Sequence, residues 1–238
     1  MGKAVVIGSS GGIGGALVAE LLARGTHRTV FALSRSASPP PSGAVAGRID
    51  LADEASVRAA AAQVGEDGHP ADLILVASGQ LHGPAFSPEK ALRALDPAAM
   101  ATLFAVNAIG PALAAKHFVP LLPREGRGVF AALSARVGSI GDNRLGGWYS
   151  YRAAKAALNQ ILRTLAIEVA RTRPGCIVVG LHPGTVTTPL SQPFRPDPDQ
   201  PGVFPPDVAA VHLLDVLDGL APSATGGVFA WDGKAVPP

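Results

Sequence analysis

The chain of 238 residues holds one cysteine, Cys176. A single thiol excludes an intrachain disulfide framework, and in "GCIVVGL" it reads as a small buried hydrophobe. Aromatic residues make up only 5%, with two tyrosines and two tryptophans, so phenol chemistry must use Tyr149 or Tyr151. Charged residues are also few, at 16%, and the formal net charge is +2. The basic residues are scattered, which excludes a nucleic-acid stripe or a polybasic membrane patch. The six histidines are dispersed. No HExxH-like spacing occurs, and a metal site has no support. No apolar run reads as long enough to span a bilayer. The opening "MGKAVVIGSS" lacks the n-region, h-region and cleavage site of a secretory leader. The expectation is a soluble, cytoplasmic protein acting on a small molecule, without nucleic acid, membrane or metal.

What the chain does have is hydrophobic residues, 47% of the total, enough for a sizeable core. Short β-rich runs, "KAVVI", "TVFAL", "AGRI", "LILVA", "GVFAAL", "CIVVGL" and "GVFAW", alternate with longer alanine- and leucine-rich segments. In "GGALVAELLARG" and just before it, Ile13, Leu17 and Leu21 recur at helical spacing, and Gly25 supplies a stop. Strand–helix alternation over residues 1–238 predicts an α/β fold, doubly wound, whose parallel sheet is covered on both faces. No internal repeat or composition break marks a second domain. Two proline-rich stretches, "SASPPPSG" and "PLSQPFRPDPDQPGVFPP", read as surface loops. The second is long for a plain connection and predicts a substrate lid around 188–206.

Three stretches suggest chemistry. The first strand enters "GSSGGIGGAL", where Gly8, Gly12 and Gly14 allow a tight turn against a pyrophosphate at a helix N-terminus. At the end of the second strand stands "FALSRSAS". An acid there would favour a free 2′-hydroxyl, whereas Ser34 and Arg35 suit a 2′-phosphate, which favours NADP(H) over NAD(H). In "GGWYSYRAAKAALNQ", Tyr151 and Lys155 are four apart and share one helix face. Tyr149, six before the lysine, faces elsewhere. A nearby ammonium would lower the phenol from its usual pKa of ~10 and suit Tyr151 to general acid/base work.

In chain order these motifs resemble the short-chain dehydrogenase/reductase family, over essentially the whole length. "IGSSGGIG" is similar to the family's TGxxxGxG, with Ile7 in place of threonine. The resemblance implies a single-domain Rossmann fold with a mostly parallel, seven-stranded sheet. It implies a dinucleotide held by Gly8, Ser9, Ser10, Gly12, Ile13 and Gly14, with Asp50 and Leu51 beside the adenine. Ala77, Ser78 and Gly79 of "VASG" fall on the family's NNAG turn, without its asparagines. Asn107 in "FAVNAIG" matches the helix asparagine of the family's proton relay. "HPGTVTTPL" matches PGxxxT through Pro183 and Gly184, with Val186 and Thr188 toward the nicotinamide carboxamide, and "WDGK" matches a terminal pattern. The family's YxxxK pair is Tyr151 and Lys155, the lysine also meeting the nicotinamide ribose.

The family's catalytic serine stands three before a glycine. Counting back from Gly138 puts Ala135 there, with Ser134 one residue earlier and Ser139 just after the glycine. Adjacent strand residues point to opposite faces, so the offset matters unless a bulge re-aims one. Ser134 is the favoured candidate, then Ser139. The resemblance is strongest to small carbonyl reductases and C-factor-like signalling proteins. It implies hydride transfer between NADP(H) and a carbonyl or alcohol substrate. The alternative is a dinucleotide-binding signalling or sensor protein with vestigial turnover. The stripe Ala154, Leu158, Ile161, Leu165 and Val169 reads as core, and the resemblance adds a homodimer or homotetramer contact on the same helix.

Overall fold

A computed structural model describes residues 2–36, 39–194, 197 and 200–238. The seven apolar runs become strands β1 (Lys3–Ile7), β2 (Thr29–Ser34), β3 (Val45–Arg48), β4 (Ala71–Val76), β5 (Gly128–Leu133), β6 (Cys176–His182) and β9 (Val228–Ala230). They form one sheet in the order β3-β2-β1-β4-β5-β6-β9, with every adjacent pair parallel. Strand order reverses between β1 and β4. The connections leaving those two strands run to opposite sides and open a crevice at their C-terminal ends, where α/β sheets bind ligands.

Strands β1, β2, β4, β5 and β6 are buried on both faces and read as continuous apolar runs rather than alternating ones, while the edge strand β3 is largely exposed. Val5, Ile7, Phe31 and Phe130 pack on one side against residues of helices α2 (Glu54–Gly65), α4 (Gly110–Phe118) and α5 (Tyr149–Ala170). Ala4, Val6, Val30 and Ile177 pack on the other against α1 (Gly12–Arg24) and α6 (Pro206–Gly219). Local chemistry sets the helix ends. Gly25, at φ 61°, closes α1, and its N–H reaches the Leu21 carbonyl. Asp53 caps α2 by accepting from the Ala55 N–H. Asp96 does the same for α3 (Pro97–Phe104), where Pro97 fills the first turn.

Two features depart from expectation. Residues 97–121 are helical throughout, α3 passing into α4 through a π-helical turn at Ala105–Ile109. By length and composition this run could cross a membrane, which corrects the reading that no apolar stretch is long enough. Its apolarity has a role inside the fold. Leu103, Ala108, Ala114 and Phe118 are all buried, and the run packs against α2 and α5. The second departure lies in the proline-rich stretch. Val203–Phe204 (β8) pairs in parallel with Thr185–Val186 (β7), and Gln192–Phe194 makes one 3₁₀ turn. Strands of two residues have no readable period, so the stretch looked like loop alone. Arg195, Pro196, Pro198 and Asp199 of the expected lid lie outside the described residues.

Phe118 is fully buried between sheet and helices. Phe118→Ala is expected to cost about 3–5 kcal/mol of unfolding free energy. Equilibrium urea denaturation monitored by circular dichroism checks this.

Candidate active site

The loop after β1 is built on close approach. Gly8 has φ 91°, and its N–H and that of Ser9 bond the Leu33 carbonyl at 2.8 and 3.1 Å. A methyl group on Gly14 would stand 2.1 Å from the Gly8 carbonyl oxygen, and one on Gly12 2.7 Å from Thr188 Cγ2. One on Gly8 would meet the Ser78 nitrogen at 2.9 Å. These glycines therefore let the β1 loop, the β4 turn and the segment after β6 converge. Helix α1 has Gly11 as its N-cap, with no side-chain cap and no acid in its first turn. Ser10, Gly12 and Ile13 line the crevice, so the helix N-terminus faces it with its polarity available to an anion.

The other expected dinucleotide residues surround this loop. Ser34 is buried at the end of β2 and donates to the Ser36 carbonyl at 2.9 Å, while Arg35 is exposed beside it. Past β3, Asp50 Oδ1 accepts the Ala52 N–H at 3.0 Å. Leu51 is buried against the space a Gly110 side chain would fill. None of Gly8, Ser9, Gly14, Ser34, Arg35, Asp50 or Leu51 is part of the cleft wall proper. Ala77 and Ser78 are, and the Ser78 hydroxyl is buried without a hydrogen-bond partner. Buried polar groups are rarely left unpaired, so a donor–acceptor ligand fits there. The glycine cradle, uncapped helix end and unsatisfied hydroxyl together suit a dinucleotide phosphate and sugar.

Tyr151 and Lys155 sit one turn apart in α5, both buried in the cleft wall. Lys155 Nζ donates to the Leu133 carbonyl at 2.7 Å and lies 5.8 Å from the Tyr151 ring centroid. Burial pushes the Tyr151 phenol up to about 12 and the Lys155 amine down to about 7. This corrects the expectation that the ammonium lowers the phenol. Both groups are withdrawn from water, and desolvation of the charged form is the cause of each shift.

Asn107 lies in the π-helical turn, fully buried and outside the cleft wall. Its amide nitrogen donates to the carbonyls of Gln80 and Leu103, and its oxygen accepts the Gln80 N–H. The amide thus anchors the turn after β4. A β-carbon on Gly79 would be in ordinary contact with Asn107 Oδ1 at 3.5 Å and Lys155 Nζ at 3.8 Å, which sets this turn beside both residues. Ala135, at the position counted from Gly138, lines the cleft and packs against the cluster of Leu81, Leu103 and Tyr151. Ser134 also reaches the cleft wall, but its hydroxyl donates to Asn159 Oδ1 at 2.6 Å. Ser139 lies outside the wall and donates to the Pro238 carbonyl at 3.2 Å. Both serine hydroxyls are therefore committed within the protein.

The cleft has a volume of about 690 Å³. Pro183, Gly184, Val186 and Thr188 form its far wall, where Gly184, at φ 77°, packs against the Gly202 carbonyl. Sequence reasoning missed Trp148 and His182 as wall residues. Burial, with the Arg136 charge second, pushes the His182 imidazole down to about 4, and its Nδ1 is buried without a partner. The available signals were the histidine before Pro183 and the paired glycines before Trp148.

Comparison with known proteins accords with this geometry. Residues 2–199 match the family described as short chain dehydrogenase. The chain is 31% identical to 1-hydroxy-2-glutathionyl-2-methyl-3-butene dehydrogenase of Rhodococcus sp. (strain AD45), over 98% of each chain. It is 36% identical to C-signal of Myxococcus xanthus, over 62% of this chain and 83% of that protein. Its backbone matches the NADPH-bound carbonyl reductase from chicken fatty liver with a TM-score of 0.86 at 25% identity, covering 99% of this chain and 93% of that one. An NADP-bound short-chain dehydrogenase/reductase from Burkholderia multivorans gives 0.81 at 26% identity, covering 99% of both. A match spanning most of the chain, on a sheet whose switch-point crevice holds the tyrosine–lysine helix, makes this protein a member of the short-chain dehydrogenase family.

Proposed function

We propose that the protein is an NADP(H)-dependent carbonyl reductase, with Tyr151 as the general acid. The observation carrying this is the burial of Tyr151 and Lys155 in the wall of one cleft with the glycine loop. A bound nicotinamide would supply the hydride. The loop N–H groups and the start of α1 would hold its pyrophosphate, Ser78 its ribose or base, and Arg35 a 2′-phosphate. NADPH and NADP in two solved relatives support the choice of cofactor.

The chain's own contribution is proton control and orientation. At neutral pH a phenol with a pKa of about 12 is protonated, the state needed to give a proton to a carbonyl oxygen. The phenolate left behind is stabilised by Lys155 when the amine is charged. Ser134 can serve the same oxygen only by releasing Asn159. Leu81, Val137, Pro189 and Leu190 make the substrate end of the cleft largely apolar, which suits a carbonyl compound with hydrophobic surface. Residues 188–191, with Phe194, Gln200, Pro201 and Val203, form part of that wall and act as the lid. Self-association into a homodimer or homotetramer through α5 belongs to the same reading. The setting that suits such an enzyme is the cytoplasm.

A second reading is a dinucleotide-binding signalling protein with vestigial turnover, favoured by the committed serines and the identity with C-signal. NADPH consumption with a panel of aldehydes and ketones separates the two. Under the reductase reading, Tyr151→Phe lowers kcat/KM at least ~100-fold and Ser134→Ala less than ~10-fold. Consumption equal in wild type and Tyr151→Phe would favour the signalling reading.

Lys155 is cationic below its pKa of about 7 and neutral above it. The kcat/KM for reduction should therefore be highest below pH 7 and fall tenfold per unit above it. In Lys155→Met the profile should be low and flat across the same range. Arg35→Asp should lose a charge-assisted phosphate contact, raising KM for NADPH about tenfold or more and shifting preference toward NADH. Steady-state kinetics with both cofactors would show it.

A further inference from the structure

The start of α5 is held by a residue far away in sequence. Helix α5 has no acid in its first turn, and Trp148, at its N-cap, offers no side-chain hydrogen bond. The cap comes from Glu89, which is 5% exposed, in the segment between β4 and α3. Its carboxylate accepts the Ser150 hydroxyl and, at 3.3 Å, the Ser150 N–H. Its main-chain carbonyl accepts the Trp148 N–H. Both ends of Glu89 thus grip the first turn of the helix that carries Tyr151 and Lys155.

That grip coincides with backbone strain. Trp148, at φ 52°, is the only non-glycine residue with positive φ among the described residues. A bulky side chain in this region persists only where its surroundings over-determine it. Gly146 and Gly147 lead in with φ 63° and 65°. The Arg152 guanidinium donates to both of their carbonyls at 3.2 and 3.0 Å. The resulting indole lies edge-on to Tyr151, with centroids 6.3 Å apart, and 5.2 Å from Phe194 of the lid segment. All three rings line the cleft.

We propose that Glu89 is a positioning residue that holds Trp148 in its left-handed conformation, so that the indole sets the width of the cleft between Tyr151 and the lid. The consequence is selectivity for flat, apolar carbonyl substrates that stack on the indole. The kinetic part rests on the reductase reading, and the conformational part does not.

Two arms test it on the full chain. In a Trp231→Phe background, Trp148 is the sole tryptophan. There Glu89→Ala should shift its emission to the red and at least double its acrylamide quenching, while Glu89→Gln should show a smaller change in the same direction. In kinetics, Glu89→Ala should raise KM for an aryl ketone at least tenfold. KM for a short aliphatic aldehyde and Kd for NADPH should stay within twofold. On a Trp148→Ala background, Glu89→Ala should add less than twofold, because its effect travels through the indole. Unchanged Trp148 emission in a folded Glu89→Ala variant overturns the proposal, as does an equal KM increase with and without the indole. Loss of folding in both Glu89 variants while Trp148→Ala folds overturns it as well. If wild type turns over no carbonyl at all, the reductase reading fails, and the fluorescence arm alone decides the clamp.

Discussion

A lysine side chain withdrawn from water must find an acceptor, and in this protein Lys155 finds the Leu133 carbonyl at the last position of β5. That bond joins the long helix α5 to the sheet at the level where the strands end. It requires the chain leaving β5 to pass close to the helix. Gly138 allows this, since a methyl group there would stand 2.8 Å from Lys155 Cβ. Tyr151, one turn earlier, then comes to the mouth of the crevice, and the glycine loop closes the opposite side. The arrangement carries an electrostatic cost. Burial holds the amine near the middle of the physiological range and the phenol well above it. Such separation of two titrating groups characterises acid/base sites.

The glycine positions share one physical logic. At Gly8, Gly12 and Gly14 a β-carbon would collide with backbone, with Thr188 or with the turn after β4. Three segments distant in sequence therefore meet where the strand order reverses. Close approach, rather than flexibility, is what glycine supplies here. The same need recurs at Gly184, where β7 and β8 draw the segment after β6 back over the cleft.

Catalytic geometry also depends on elements that carry no chemistry. Asn107 spends its amide on the backbone after β4, and Glu89 spends its carboxylate on the start of α5. One fixes the floor beneath Gly79, and the other fixes the aromatic wall. The α3–α4 helix places Asn107 through a π-helical turn, and its apolar character follows from packing on two neighbouring helices.

Much of this was legible in the linear chain. The five central strands were specified by apolar runs between turn residues, because a strand buried on both faces has no polar alternation to obscure it, whereas the edge strands β3 and β9 are only partly covered. The glycine loop and the Tyr151–Lys155 spacing were readable because both are local, each spanning about one turn of backbone. The fold alone decided what depends on contacts distant in sequence. It committed Ser134 to Asn159 and Ser139 to Pro238, and it placed Ala135 in the cleft wall that also holds Tyr151. It reversed the expected direction of the Tyr151 shift, because desolvation depends on what surrounds a group in space rather than on its neighbours in the chain. It also brought Glu89 to Ser150, a pairing across 61 positions that no periodicity encodes.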